Sequence, residues 1–136
     1  MEIPGLTGRS ILIIEDEALI AFDLAQAFRE AGAHVATTST LHHAQLLVRH
    51  NGLSAAVVDH ALPDGDTQSI CRYLKERGVP FVTYSGFSDP DLGDCCGVYI
   101  SKPTQPEVVV GVITELLRSL VPPGTSAGPG NQLLCL

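Results

Sequence analysis

The chain has 136 residues, with eight basic against fifteen acidic side chains and a formal net charge of −7. That length supports one hydrophobic core and is too short for two. No Lys/Arg run interrupts the acidic balance, so the electrostatic footprint of a nucleic-acid binder is missing. The apolar runs fall far below the roughly 20 residues of a membrane span, and no basic stretch leads into an apolar signal core. No membrane insertion is expected, and the default compartment is cytoplasmic. Cys71, Cys95, Cys96 and Cys135 form no C-x-x-C pair and have no histidine at zinc spacing. They read as reduced thiols rather than a disulfide framework or a structural metal site.

Along the chain, short apolar runs alternate with segments of helical period. Residues 11–14 are the first strand candidate and lead directly into Glu15-Asp16-Glu17. Ile20, Leu24, Ala27 and Phe28 then fall at i, i+4, i+7 and i+8, one stripe of a helix that Gly32 can terminate. Residues 35–37 and 55–58 are the second and third strand candidates, the third ending at Asp59. In the LPDGD stretch that follows, Asp64 and Asp66 are expected to shape the turn and cap the next helix. Residues 81–84 precede Ser85 as the fourth strand.

Residues 86–97, with glycine at both ends and at Gly93, leave space for about two helical turns, so the fourth helix is expected to be short or distorted. Residues 98–100 are the fifth strand, leading into Ser101-Lys102-Pro103. Pro106 suits a first helical turn, and Val109, Ile113, Leu116, Leu117 and Leu120 line one face of the last helix. Pro122-Pro123 should stop it. Residues 122–136, rich in Pro, Gly and Ser, are expected to be a disordered tail after a single domain at residues 8–121.

Strands without polar alternation are buried on both faces, which implies an α/β fold with a parallel sheet covered by helices on each side. In such a sheet, ligands collect beyond the carboxyl ends of the strands. The strand ends gather Glu15-Asp16, Asp59, Ser85 and Lys102 on one edge. Carboxylates brought that close repel one another unless a cation neutralises them. Mg²⁺ fits, because it takes one or two carboxylates and leaves oxygens free for a phosphoryl group. Lys102 then supplies a fixed positive charge, Ser85 a hydroxyl, and Asp59 stands as the nucleophile that would form an aspartyl phosphate.

In order, ILIIEDE, AAVVDHALPDGD, PFVTYSG and VYISKP resemble the receiver domain of two-component response regulators over roughly residues 8–120. The resemblance implies a flavodoxin-like doubly wound (βα)5 sandwich with a five-stranded parallel sheet in the order 2-1-3-4-5. It implies Asp59 as the phosphoacceptor, loaded from a histidine kinase or histidine phosphotransfer protein in a Mg²⁺-dependent reaction. Asp16 resembles the direct metal ligand, Glu15 the carboxylate acting through water, and the Ala61 backbone carbonyl a further ligand. Ser85 resembles the switch hydroxyl, Tyr99 the aromatic that turns with it, and Lys102 the lysine that meets the phosphoryl group. Lys102-Pro103 resembles the family's cis peptide.

With no output domain after the receiver, the resemblance implies a single-domain, chemotaxis-regulator-like protein. It would not be an enzyme in the metabolic sense, and would signal to a downstream protein by conformational change or onward phosphotransfer. Some relatives dimerise, and a homodimer is left open here. Two departures stand out: Glu15 occupies a position where Asp is commoner, and Thr104 one where an aromatic is frequent, which is expected to loosen the start of the last helix.

Each feature also has a blander reading. Glu17 serves the helix dipole, Ser85 before Gly86 is turn chemistry, and Tyr99 is a core aromatic. The five histidines lack ligand spacing. A scaffold working without phosphorylation, or a phosphate sink, is the rival function. A small phosphatase is disfavoured because Asp16 is followed by Glu17 and Ala18 rather than by a D-x-D pattern. A flavin carrier is disfavoured by the acidic first loop.

Overall fold

The computed structural model of the chain describes residues 5–85 and 98–119. The expected short fourth helix and the expected tail lie outside those residues, as do Leu120 and three of the cysteines. Five strands form one sheet: β1 (Ser10–Ile14), β2 (His34–Thr38), β3 (Ala55–Asp59), β4 (Phe81–Ser85) and β5 (Val98–Ser101). All neighbouring pairs are parallel and the strand order is β2-β1-β3-β4-β5. The four described helices are α1 (Ala18–Glu30), α2 (Leu41–Leu47), α3 (Gln68–Glu76) and α4 (Pro106–Ser119). Among the described residues no helix is long and apolar enough to cross a membrane.

The alternation of side chains along a strand divides the interior into two cores. Ile11 and Ile13 turn to one face with Leu24 and Phe28 of α1, Val57, Val82, and Val109 and Ile113 of α4. Leu12 and Ile14 turn to the other, with Val58, Phe81, and Ile70 and Leu74 of α3. Burying each such side chain stabilises the fold by about 1.5–3 kcal/mol, which is why a run that is apolar at every position is a central strand. The described residues of the stripes expected on α1 and α4 are buried, apart from Ile20, which is half-buried against the first core. Cys71 is buried in the second core.

Burial on both faces does not extend to β2. His34, Ala36 and Thr37 are exposed and only Thr38 is buried, because β2 is an edge strand paired on one side alone. At the end of α1, Gly32 adopts a φ of 98°, and Ala33 N–H donates back to the Phe28 carbonyl at 3.1 Å. That is the left-handed ending glycine permits at low cost.

The LPDGD stretch folds as a small antiparallel hairpin, Ala61–Leu62 against Gly65–Asp66. Only Asp66 serves the next helix, its Oδ1 accepting from Gln68 N at 3.1 Å. Asp64 instead reaches α2, accepting from Leu41 N at 2.7 Å and from His42 N at 3.1 Å. It works with Thr40, whose hydroxyl accepts from His43 N at 3.2 Å, so three of α2's otherwise unpaired amides are satisfied. Gly65, at φ +149°, lies so close to α2 that a Cβ there would sit 2.8 Å from Leu41 Cδ2. The loop after Asp59 is thus pressed onto α2.

Candidate functional site

Each charged residue of the site ends or follows a strand, so the parallel sheet delivers all of them to one edge. Glu15 continues β1, its N–H held by the Thr38 carbonyl at 2.9 Å, and is buried. Asp16 is next and exposed, while Asp59, the last residue of β3, is buried. One carboxylate oxygen from each of Glu15, Asp16 and Asp59 can be chosen so that all lie within 4.8 Å of one another. Lys102 Nζ stands 2.8 Å from Glu15 Oε1 and 3.3 Å from Asp59 Oδ2. It also lies 5.3 Å above the centroid of the Tyr84 ring, a contact that adds attraction to a partly desolvated cation.

Burial pushes the carboxyl groups of Glu15 and Asp59 above their ordinary range, against the opposing pull of Lys102. Burial alone would pull the Lys102 ammonium down, but its hydrogen bond to Glu15 and the charge of Asp59 outweigh that and leave it raised. Three carboxylates face one ammonium, and the excess negative charge is what a divalent ion would neutralise. The donors are hard oxygens, and Asp16 is open to solvent, so the cluster fits Mg²⁺. The oxygens of Glu15 are already engaged, Oε1 by Lys102 and Oε2 by Glu17 N at 3.0 Å.

Ser85 is fully buried at the end of β4, and its carbonyl accepts from Lys102 N at 2.8 Å. Tyr99 is half-buried on β5, opposite Thr83. The short strand at Ala61–Leu62 begins two residues after Asp59. The Lys102-Pro103 peptide is cis. Thr104, expected to loosen the entry to the last helix, instead ties it. Its hydroxyl donates to the Ser101 carbonyl at 2.6 Å, while its N–H and carbonyl both bond the Tyr84 hydroxyl, at 3.3 and 3.1 Å.

Two residues that the motifs do not mark touch this site. Tyr84 lies under Lys102 and braces the turn after it. Thr67, wholly buried at the start of α3, donates its hydroxyl to the Asp59 carbonyl at 2.6 Å and the His60 carbonyl at 2.9 Å. Tyr84 had a signal in its place one residue before Ser85 on a strand that ends at the site.

This sheet order, with acidic loops and a lysine at one carboxyl edge, is that of a receiver-type α/β module. The family model for the response regulator receiver domain matches residues 11–114. The chain belongs to that family. It is 29% identical to the transcriptional regulatory protein GltR of Pseudomonas aeruginosa, over 82% of this chain and 50% of that protein. It is 30% identical to the probable transcriptional regulator ycf27 of Pyropia yezoensis, over 90% of this chain and 53% of that one. The chain therefore spans about half the length of the curated relatives it matches.

Among solved structures, a CheY-like receiver domain protein from Methanospirillum hungatei is similar with a TM-score of 0.74 at 23% identity, covering 81% of this chain and 94% of that one. The signal receiver domain of a histidine kinase from Syntrophus aciditrophicus is similar with a TM-score of 0.71 at 25% identity, covering 88% and 98%. Receiver domains are signalling phosphoacceptors that work with histidine kinases or phosphotransfer proteins and bind Mg²⁺ at an acidic cluster. Glu15, Asp16 and Asp59 form such a cluster here.

Proposed function

We propose that Asp59 accepts a phosphoryl group from the phosphohistidine of a histidine kinase or phosphotransfer protein. The observation that carries this reading is the buried Asp59 carboxylate, gathered with those of Glu15 and Asp16 and faced by Lys102 at 3.3 Å. A carboxylate oxygen of Asp59 attacks phosphorus, the phosphorus–nitrogen bond of the donor breaks, and its electron pair leaves on the imidazole. The ammonium of Lys102 meets the charge on the phosphoryl oxygens and loosens its hold on Glu15 as it does so. Asp16, Asp59 and the Ala61 carbonyl would hold Mg²⁺, with Glu15 acting through water. When bound, the ion supplies positive charge against the transferred group.

Ser85 and Tyr99 carry the switch in this reading: the hydroxyl moves toward the phosphoryl group and the ring turns with it, shifting a population between two conformations. Slow hydrolysis by water then resets the site. The unit is the receiver domain at residues 8–121, acting in the cytoplasm on a downstream protein or passing the phosphoryl group onward. A chain of net charge −7 without a Lys/Arg run has no nucleic-acid contact in this proposal.

Acetyl phosphate with Mg²⁺, followed by intact mass measurement, tests it. Wild type should gain one phosphoryl group and Asp59→Ala none. A folded wild type that gains nothing from acetyl phosphate, and shows no spectral shift with beryllofluoride, would mean a scaffold that works without phosphorylation.

A further inference from the structure

A threonine at the start of a helix ordinarily turns its hydroxyl toward the amides of the first turn. Thr67 makes no such bond to α3. Its side chain is fully buried and points back to β3, where one O–H proton is shared between the Asp59 carbonyl at 2.6 Å and the His60 carbonyl at 2.9 Å. Its own N–H donates to the His60 carbonyl at 3.3 Å. The capping task has passed to the neighbouring Asp66, which accepts from Gln68 N. A hydroxyl has a single proton to give, and here that proton goes to the backbone of the proposed phosphoacceptor.

The loop closed by these bonds carries the Asp59 carboxylate at one end and the Ala61 carbonyl beyond it, two of the groups assigned above to the cation. Pinning the carbonyls of residues 59 and 60 limits rotation of the peptide planes on either side of His60. Those planes set where the Asp59 side chain starts and where the Ala61 carbonyl points. Groups that orient metal ligands in this way contribute to affinity without touching the ion. The far end of the loop is held separately by Asp64 on α2, so Thr67 governs the end that bears the chemistry.

We propose that Thr67 is a positioning residue of the phosphoacceptor site, whose hydroxyl fixes the backbone of Asp59 and His60 and thereby sets the affinity of the site for Mg²⁺. The proposal rests on the reading of Asp59 as phosphoacceptor and ligand. A threonine that merely filled space would be replaced without consequence by valine, which has the same shape and no hydroxyl.

The test uses the full chain as wild type, Thr67→Val, Thr67→Ser and Ile70→Val, the last a core change on α3 that lowers stability and removes no hydrogen bond. Three quantities are read: amide exchange at residues 59–61 without metal, the Mg²⁺ dissociation constant, and the Mg²⁺ concentration giving half-maximal phosphorylation by acetyl phosphate. In Thr67→Val the amides should exchange faster, and both Mg²⁺ values should rise about tenfold, with little change in the rate at saturating Mg²⁺. Thr67→Ser should restore them, and Ile70→Val should leave them at the wild-type values. Should Thr67→Val fail to fold, Thr67→Ala carries the same readings. Wild-type Mg²⁺ affinity in the hydroxyl-free variant, or an equal loss in Ile70→Val, would overturn the proposal. A folded wild type that takes up no phosphoryl group would instead overturn the function on which it rests.

Discussion

Asp59 and Asp64 are the same side chain on one loop and are treated in opposite ways. Asp59 is buried beside two other carboxylates, and burial pushes its carboxyl group above the ordinary range. Asp64 is exposed, and the amides of Leu41 and His42 hold its carboxyl group below that range. Asp64 is therefore a carboxylate the fold rewards for being charged, since it caps α2. Asp59 is one the fold penalises for being charged, a penalty that a nearby positive charge offsets. Structure and chemistry thus divide within a few residues, and each of the following experiments presses on that division.

The largest effect should come from removing the cation that both buried carboxylates share. Lys102→Met leaves Glu15 and Asp59 without the ammonium that now stands 2.8 and 3.3 Å away. Removing one partner of a buried ion pair costs about 3 kcal/mol at the lower end of the measured range. That end applies here because the carboxylates can take up a proton instead. Chemical denaturation should show the loss without metal and a smaller loss at saturating Mg²⁺. Equal losses in both would show that lysine and metal do not answer the same excess of negative charge.

Next in size, and opposite in sign, is Asp59→Asn. It removes one of three converging negative charges and keeps the Lys102–Glu15 contact. The metal-free protein should gain about 1 kcal/mol, or about 4 °C in its thermal midpoint, while the rise in midpoint produced by Mg²⁺ shrinks. A lower midpoint would mean that the attraction of Asp59 to Lys102 outweighs its burial and its repulsion by Glu15 and Asp16.

The pH dependence sets the two aspartates directly against each other. Glu15 and Asp59 have folded values raised above 4.5 and 3.8, so the folded state favours their protonated forms. Their contribution is present below the ordinary carboxylate values and is lost as pH rises through the raised ones. The folded value of Asp64 is depressed from 3.8, so its contribution is present above that value and is lost as pH falls through the lower one. Without metal, the wild type should therefore gain stability relative to Asp59→Asn as pH falls from about 7 toward the carboxylate range, and Mg²⁺ should flatten that difference. A difference that does not vary with pH would place Asp59 in a less desolvated site than its burial indicates.

The sequence revealed more of this site than of its supports. Residues 11–14 and 55–58 are apolar at every position because both faces are covered, and that pattern survives in one dimension. So does the cluster, since Glu15, Asp59, Ser85 and Lys102 each close or follow a strand and a parallel sheet must bring them to one edge. The exposure of the edge strand β2 does not show in the sequence, because one-sided pairing leaves no mark in a run as short as Val35-Ala36-Thr37. Asp64 meets its amides across 22 and 23 residues of sequence, and Tyr84 meets Thr104 across 20. A local rule assigns Asp64 to the next helix because nothing local shows that α2 lies closer. Thr67 resembles a helix cap in sequence, and its hydroxyl is better used once His60 and Asp59 present their carbonyls.

The smallest effect should belong to Asp64→Asn, and it is the one that decides whether the two ends of the loop act independently. An asparagine keeps one acceptor oxygen but replaces the other with a donor, which faces an amide that also donates. The cap on α2 is thereby halved, and its charge is lost at the helix end that favours negative charge. Amide hydrogen exchange should quicken at Leu41 and His42, while the global midpoint and the Mg²⁺ affinity stay near wild type. Thr40 still satisfies His43, and Thr67 still pins Asp59. If Mg²⁺ affinity instead falls as it does in Thr67→Val, the loop moves as one piece, and the position of α2 and the occupancy of the acidic cluster must respond to each other.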